Sequence, residues 1–136
     1  MKTRKRIILL AACAVCLIPL KAQKRIFIPE DLRGMDLQAD TSKWSFNRSA
    51  ETDDLIFMWE NGFGQDVSNP PMLEGKPMSF NLENLKNRVQ SFYTFFRDTL
   101  AFIPEQSSPT RSSKADQYKM MVMVMYTLDG TAYGGT

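Results

Sequence analysis

Residues 81–102, NLENLKNRVQSFYTFFRDTLAF, constrain the fold more than any other stretch. The run contains neither Pro nor Gly. Leu82, Leu85, Val89, Phe92, Phe96 and Leu100 recur in it at three- and four-residue steps, a spacing that gathers them on one stripe of an α-helix. At 1.5 Å per residue such a helix is about 33 Å long. Asn81 is its expected N-cap, Glu83 sits near the positive end of its dipole, and Pro104 enforces the stop. Lys86, Asn87, Gln90, Arg97 and Asp98 are expected off the stripe or on its border. A coiled coil needs more heptads than this one run provides, so the stripe is expected to lie on a sheet.

Two segments can supply that sheet. Leu55-Ile56-Phe57-Met58-Trp59 is apolar at every position, as in a strand covered on both faces, and Glu60 ends it. The second segment, Tyr118 to Leu128, has two largely apolar alternating sets and is expected to be buried in the same way. Met121, Met123 and Met125 share one of its faces at period two. A thioether copper site is one reading of them; core packing accounts for them without metal. A strand, a long helix and a second strand make a crossover, so the strands are predicted to be parallel and the connection right-handed. The expected class is therefore α/β (α+β): an incomplete β-α-β crossover with strand 55–60, helix 81–102 and strand 118–128, one long helix packed on a partial sheet. Asn61-Gly62-Phe63-Gly64 reads as a turn and lacks the further glycine of a phosphate loop. Residues 65–79 form a loop punctuated by Pro70, Pro71 and Pro77, and the polar, Ser-rich residues 105–117 a flexible connection.

Ahead of the first strand, residues 23–54 read as an irregular lead-in. Arg25-Ile26-Phe27-Ile28 is a short extended run stopped by Pro29. Trp44 and Phe46 are expected to be pinned to the core, and the alternation Trp44-Ser45-Phe46 permits a short strand. Asn47-Arg48-Ser49 has the form of a glycosylation sequon. Glu51, Asp53 and Asp54 could suggest metal or acid–base work. With nothing in the local sequence to bury them, they read as a solvated turn. On their own, two strands and a helix would leave long apolar edges exposed, with the lead-in covering the second face only weakly. The chain is accordingly expected to be the N-terminal part of a longer protein.

The first 22 residues differ from the rest. MKTRKR is a charged start, Ile7 to Leu20 is apolar, and Leu20-Lys21-Ala22-Gln23 offers a small residue for cleavage after Ala22. The pattern is a signal peptide over 1–22, its apolar stretch short of the roughly 20 residues needed to span a bilayer. Export to the periplasm, cell surface or medium is expected, with no stable membrane span. Leu10-Ala11-Ala12-Cys13 resembles a lipobox and gives a lipoprotein through Cys13 as the alternative. Both cysteines, Cys13 and Cys16, lie in this leader, so the exported chain must rely on a packed core in place of disulfides. Five of the 17 basic residues also lie there. Without them 12 basic side chains face 15 acidic ones, and the folded part offers no charge basis for nucleic-acid binding.

Trp44 to Thr52, followed by Leu55 to Gly64, and Tyr118 to Leu128, followed by Gly130-Thr131-Ala132-Tyr133-Gly134-Gly135, together resemble a family of secreted bacterial proteins that carries a domain of unknown function. The resemblance runs from about Ile26 to the end and implies a zincin-like, metallopeptidase-like core. In such cores a later helix holds a His-Glu-x-x-His motif that binds zinc and supplies a base. This chain has no histidine. No catalytic, cofactor-binding or metal-ligating residue is assigned in it, and zinc would belong to a longer form. The expected function is that of a non-catalytic N-terminal fragment of a secreted metallopeptidase-like protein. The alternative is a small secreted module that binds protein or glycan through exposed aromatics such as Trp44, Phe63 and Tyr133.

Overall fold

A computed structural model describes residues 23–102 and 117–130. The expected signal peptide, nearly all of the Ser-rich connection and Tyr133 lie outside the described residues. Four strands are present among them: β1 (Arg25–Ile26), β2 (Ser49–Glu51), β3 (Leu55–Trp59) and β4 (Tyr118–Val124), with a helix, α1 (Leu82–Thr94), between β3 and β4. They form one sheet in the order β1-β4-β3-β2. β3 and β4 are parallel, with Leu55 opposite Met120 and Trp59 opposite Val124, as a strand–helix–strand connection requires. β1 also runs parallel to β4, and β2 pairs antiparallel with β3.

The apolar run of β3 is explained by two covers. Leu55 and Phe57 pack with Leu85, Val89 and Tyr93 of α1, and Trp59 packs in a third cluster that includes Leu82 and Phe63. On the other face Ile56 and Met58 meet Leu32 and Trp44, with Ile28, Leu37 and Phe46 around them. The lead-in is therefore a true second layer, not the weak cover expected of it. Its shape comes from polar ties. Ser45 Oγ accepts from Asn47 N and starts a 3-10 turn over Phe46–Arg48, which takes the place of the short strand predicted around Trp44-Ser45-Phe46. Such local side-chain bonds compete with strand formation. Arg48 is buried, and its guanidinium donates to the carbonyls of Asp40, Ser42 and Lys43, so one side chain fixes the loop that carries Trp44.

β4 departs from the expectation of burial on both faces: Met120 and Met123 are exposed. Only Tyr118 and Lys119 are paired to β1, so the outer edge of the strand is uncovered beyond them among the described residues. The strand also ends at Val124, short of the predicted Leu128. Tyr126 N donates to the Glu60 side chain, and Tyr126 Oη to the Pro71 carbonyl, which draws the backbone out of the ladder. That phenol ring lies edge-on to Phe63, 4.9 Å between centroids, and over Gly62. A Cβ at Gly62 would stand 2.3 Å from Tyr126 Cδ1. Gly62→Ala is therefore expected to cost about 1–2 kcal/mol by overpacking in urea denaturation, and Tyr126→Ala should mask part of that loss.

Helix α1 begins as predicted, with Asn81 Oδ1 accepting from Asn84 N at 2.8 Å. Its last turns widen to a π-helix over Phe95–Thr99, closed by Leu100 N donating to Phe95 O. Among the described residues no helix is long and apolar enough to cross a membrane.

Candidate functional site

The helix stripe predicted from spacing holds only in its first half. Leu82, Leu85 and Val89 meet the sheet, but Phe92, Phe96 and Leu100 are exposed and Tyr93 is buried in their place. The cause lies in the sheet. Leu82 packs near Trp59 and Val89 near Leu55, so α1 runs toward the start of β3. There the strand gives way to Thr52 and Asp54, which bond Gln90 and Arg97, and Thr94 Oγ1 accepts from Gln90 Nε2. Gln90 and Arg97, expected off the stripe or on its border, thus turn half-buried toward Asp54.

Asp54 is the centre of this end. It is 6% exposed, which corrects the expectation of a solvated turn. Oδ1 accepts from Lys24 Nζ at 2.7 Å, and Oδ2 from Gln90 Nε2 at 2.8 Å and Arg97 Nη1 at 3.1 Å. Gln90 Oε1 in turn accepts from Thr52 Oγ1 at 2.6 Å. The Tyr93 ring lies between the two cations, with Lys24 Nζ 5.6 Å and Arg97 Cζ 5.7 Å from its centroid, within cation–π range. Burial pushes the Asp54 carboxyl up. The hydrogen bonds from Lys24 and Gln90 and the charges of Lys24 and Arg97 outweigh that and hold it below the usual carboxylate range. Beside it, buried Lys119 pairs with Glu51 at 2.7 Å.

An ionised carboxylate with donors on both oxygens has no proton to give. The arrangement acts as a three-way tie between the head of the lead-in, the start of β3 and the end of α1. Among the described residues no group of three or more His, Cys, Asp or Glu is placed to hold a metal ion. With no histidine in the sequence and its two cysteines at positions 13 and 16, the donor set of the described residues does not fit zinc.

The aromatics displaced from the sheet form the second feature. Phe92 is 62% and Phe102 72% exposed, with Phe95, Phe96 and Leu100 between them. Phe95 meets Phe96 edge-on and Phe96 stacks on Phe102, each at 6.0 Å. With an aromatic side chain worth about 150–250 Å², the four phenylalanines and Leu100 leave roughly 500 Å² of apolar surface open, the size of the largest, often functional, patch on a monomer. A shallow groove beside the ridge is lined by Asn87, Arg88, Ser91, Phe92 and Phe95.

Two of the three aromatics named from sequence as exposed are not exposed; Tyr133 lies outside the described residues. Trp44 and Phe63 are buried. Met121 and Met125 pack against the Ile56 cluster, whereas Met123 on the same face is exposed. Asn47 of the sequon donates to Gln38 O and Asp40 Oδ1. The ridge had a signal in the sequence: Gln90, Thr94 and Arg97 recur at helical spacing opposite it, and an acidic residue directly precedes β3.

No curated protein and no solved structure matches the chain. A model of a family of unknown function matches residues 19–136, a span that takes in both the Asp54 tie and the phenylalanine ridge, and the chain belongs to that family, DUF6055.

Proposed function

We propose that this chain is an exported, non-catalytic binding module that docks the apolar surface of a protein partner on the ridge Phe92, Phe95, Phe96, Leu100 and Phe102. The ridge is the observation that carries the reading. Its chemistry favours protein over glycan. The five side chains hold no hydroxyl or indole N–H, and the polar groups beside them are engaged within the helix, Arg88 Nε on Asn84 and Ser91 Oγ on the Asn87 carbonyl. Phenylalanine and arginine are enriched in the buried centres of protein interfaces. Export rests on the leader.

The test is a photo-crosslinking amino acid at position 92 of the chain, made in its own exporting cells. A discrete protein adduct is expected, lost when Phe96 and Phe102 are both changed to Asp. Because these residues are exposed, the double change should alter the unfolding free energy measured in urea by about 0.5 kcal/mol or less. No adduct, with retention on immobilised polysaccharide, would replace protein by glycan as the partner.

A second reading has its own support. β3 and β4 are parallel neighbours joined through α1, the order that the zincin-like resemblance implies. The chain would then be a backing layer for a metallopeptidase-like domain whose zinc ligands come from outside it. Stoichiometric zinc in the gene product purified from native cells, read by plasma mass spectrometry, is the expected result under that reading. Its absence sinks it.

A further inference from the structure

Residue 23 combines three observations. It is a glutamine directly after Ala22, the bond at which the export reading places the cut, it is exposed, and the β1–β4 ladder begins only two residues later, at Arg25 opposite Tyr118. We infer that Gln23 is the first residue of the exported chain and that it closes on itself to a pyroglutamyl lactam, an inference that rests on the export reading above.

The reaction needs no oxidant, reductant or second substrate. The neutral α-amine attacks the side-chain amide carbon Cδ, a new N–Cδ bond closes a five-membered ring, and the Cδ–Nε2 bond breaks. Nε2 leaves as ammonia, carrying the proton that the amine gives up.

The fold explains what the ring does. Lys24 and Arg97 already share the Asp54 carboxylate, and Arg25 lies over the Tyr118 ring at 5.0 Å. An uncyclised terminus has an ordinary pKa of about 7.7–8.0. It would add one more cation at the next Cα, about 3.8 Å from that of Lys24. The lactam carries no charge, so Asp54 keeps Lys24 and Arg97 without a competing ammonium. It also leaves the backbone of Arg25 and Ile26 free to pair, because the ring uses only the terminal nitrogen. The terminus is thereby closed to aminopeptidases at the point where β1 is held to the sheet.

The experiment is intact-mass and tandem mass spectrometry of the full chain, expressed with its leader in an exporting bacterium and purified from outside the inner membrane. The expected product starts at Gln23, is lighter by one ammonia, and resists Edman degradation until treated with pyroglutamyl aminopeptidase. Gln23→Ala, cut at the same bond, should sequence directly. A chain that starts at Gln23 with a free amine overturns the inference and leaves export standing, as does cleavage at another bond. A chain that retains residues 1–22 overturns both.

Discussion

Trp44→Ala is expected to lower the unfolding free energy by about 3–5 kcal/mol, the range for deleting a buried aromatic. Trp44 is 5% exposed and packs on Ile56 and Met58, the face of β3 turned away from the helix. If residues 23–48 were a loose lead-in, the same substitution would cost a few tenths of a kcal/mol, as surface changes do. Urea denaturation followed by tryptophan fluorescence from Trp59 measures it, with Phe92→Ser as the exposed control. A loss below about 1 kcal/mol would show that the second layer contributes little. Arg48 gives an independent check. Arg48→Met removes three donors to backbone carbonyls and should destabilise the loop that carries Trp44 without touching the sheet.

Asp54→Asn is the second large effect. It leaves Lys24 and Arg97 facing a neutral amide. Breaking a fully buried pair costs about 3–5 kcal/mol; these two cations keep some access to water, so about 2–3 kcal/mol is expected. The pH dependence fixes the cause. The folded-state pKa of Asp54 is depressed, while the unfolded value is about 3.9. The stability from ionised Asp54 is therefore fully present above about pH 5 and is lost as pH falls through the folded value, below about 4. Wild type should show a steep fall in urea midpoint on that acid side, and Asp54→Asn a lower but flatter curve. Asp66, lowered by its hydrogen bonds from Ser68, titrates in the same region in both proteins and cancels in the comparison. Equal acid slopes would assign the acid sensitivity elsewhere.

The elements were legible because each is specified locally. The unbroken apolar run of β3, the N-cap at Asn81 and the parallel pairing across the helix all follow from short-range pattern and chain geometry. What spacing could not reveal is where the sheet ends. Phe92 and Tyr93 are equally apolar to a periodicity argument. The choice between them depends on Asp54 standing opposite, which draws Gln90 and Arg97 inward and turns the phenylalanines out. The same limit explains the lead-in. Trp44 and Leu32 are too far apart in sequence to form a periodic face, and the loop that carries Trp44 is held by bonds from Arg48 to three carbonyls and from Phe46 N and Ser45 Oγ to the Leu37 carbonyl. The ridge was missed for that reason, and Trp44 and Phe63 were offered in its place.

The pairing of β1 with β4 has a further consequence for how the chain acquires its fold. Arg25 and Tyr118 are partners 93 residues apart, so the first strand made must wait for the last. Closing so long a loop is slow, and parallel strands bring no early local reward. A chain emerging N-terminus first from a ribosome or a translocation channel cannot complete its sheet until β4 is out. Up to that moment β3 has no parallel partner, and β1, the strand that follows Lys24, has nothing to pair with. Completion of the sheet is then a late event that waits on the last strand made.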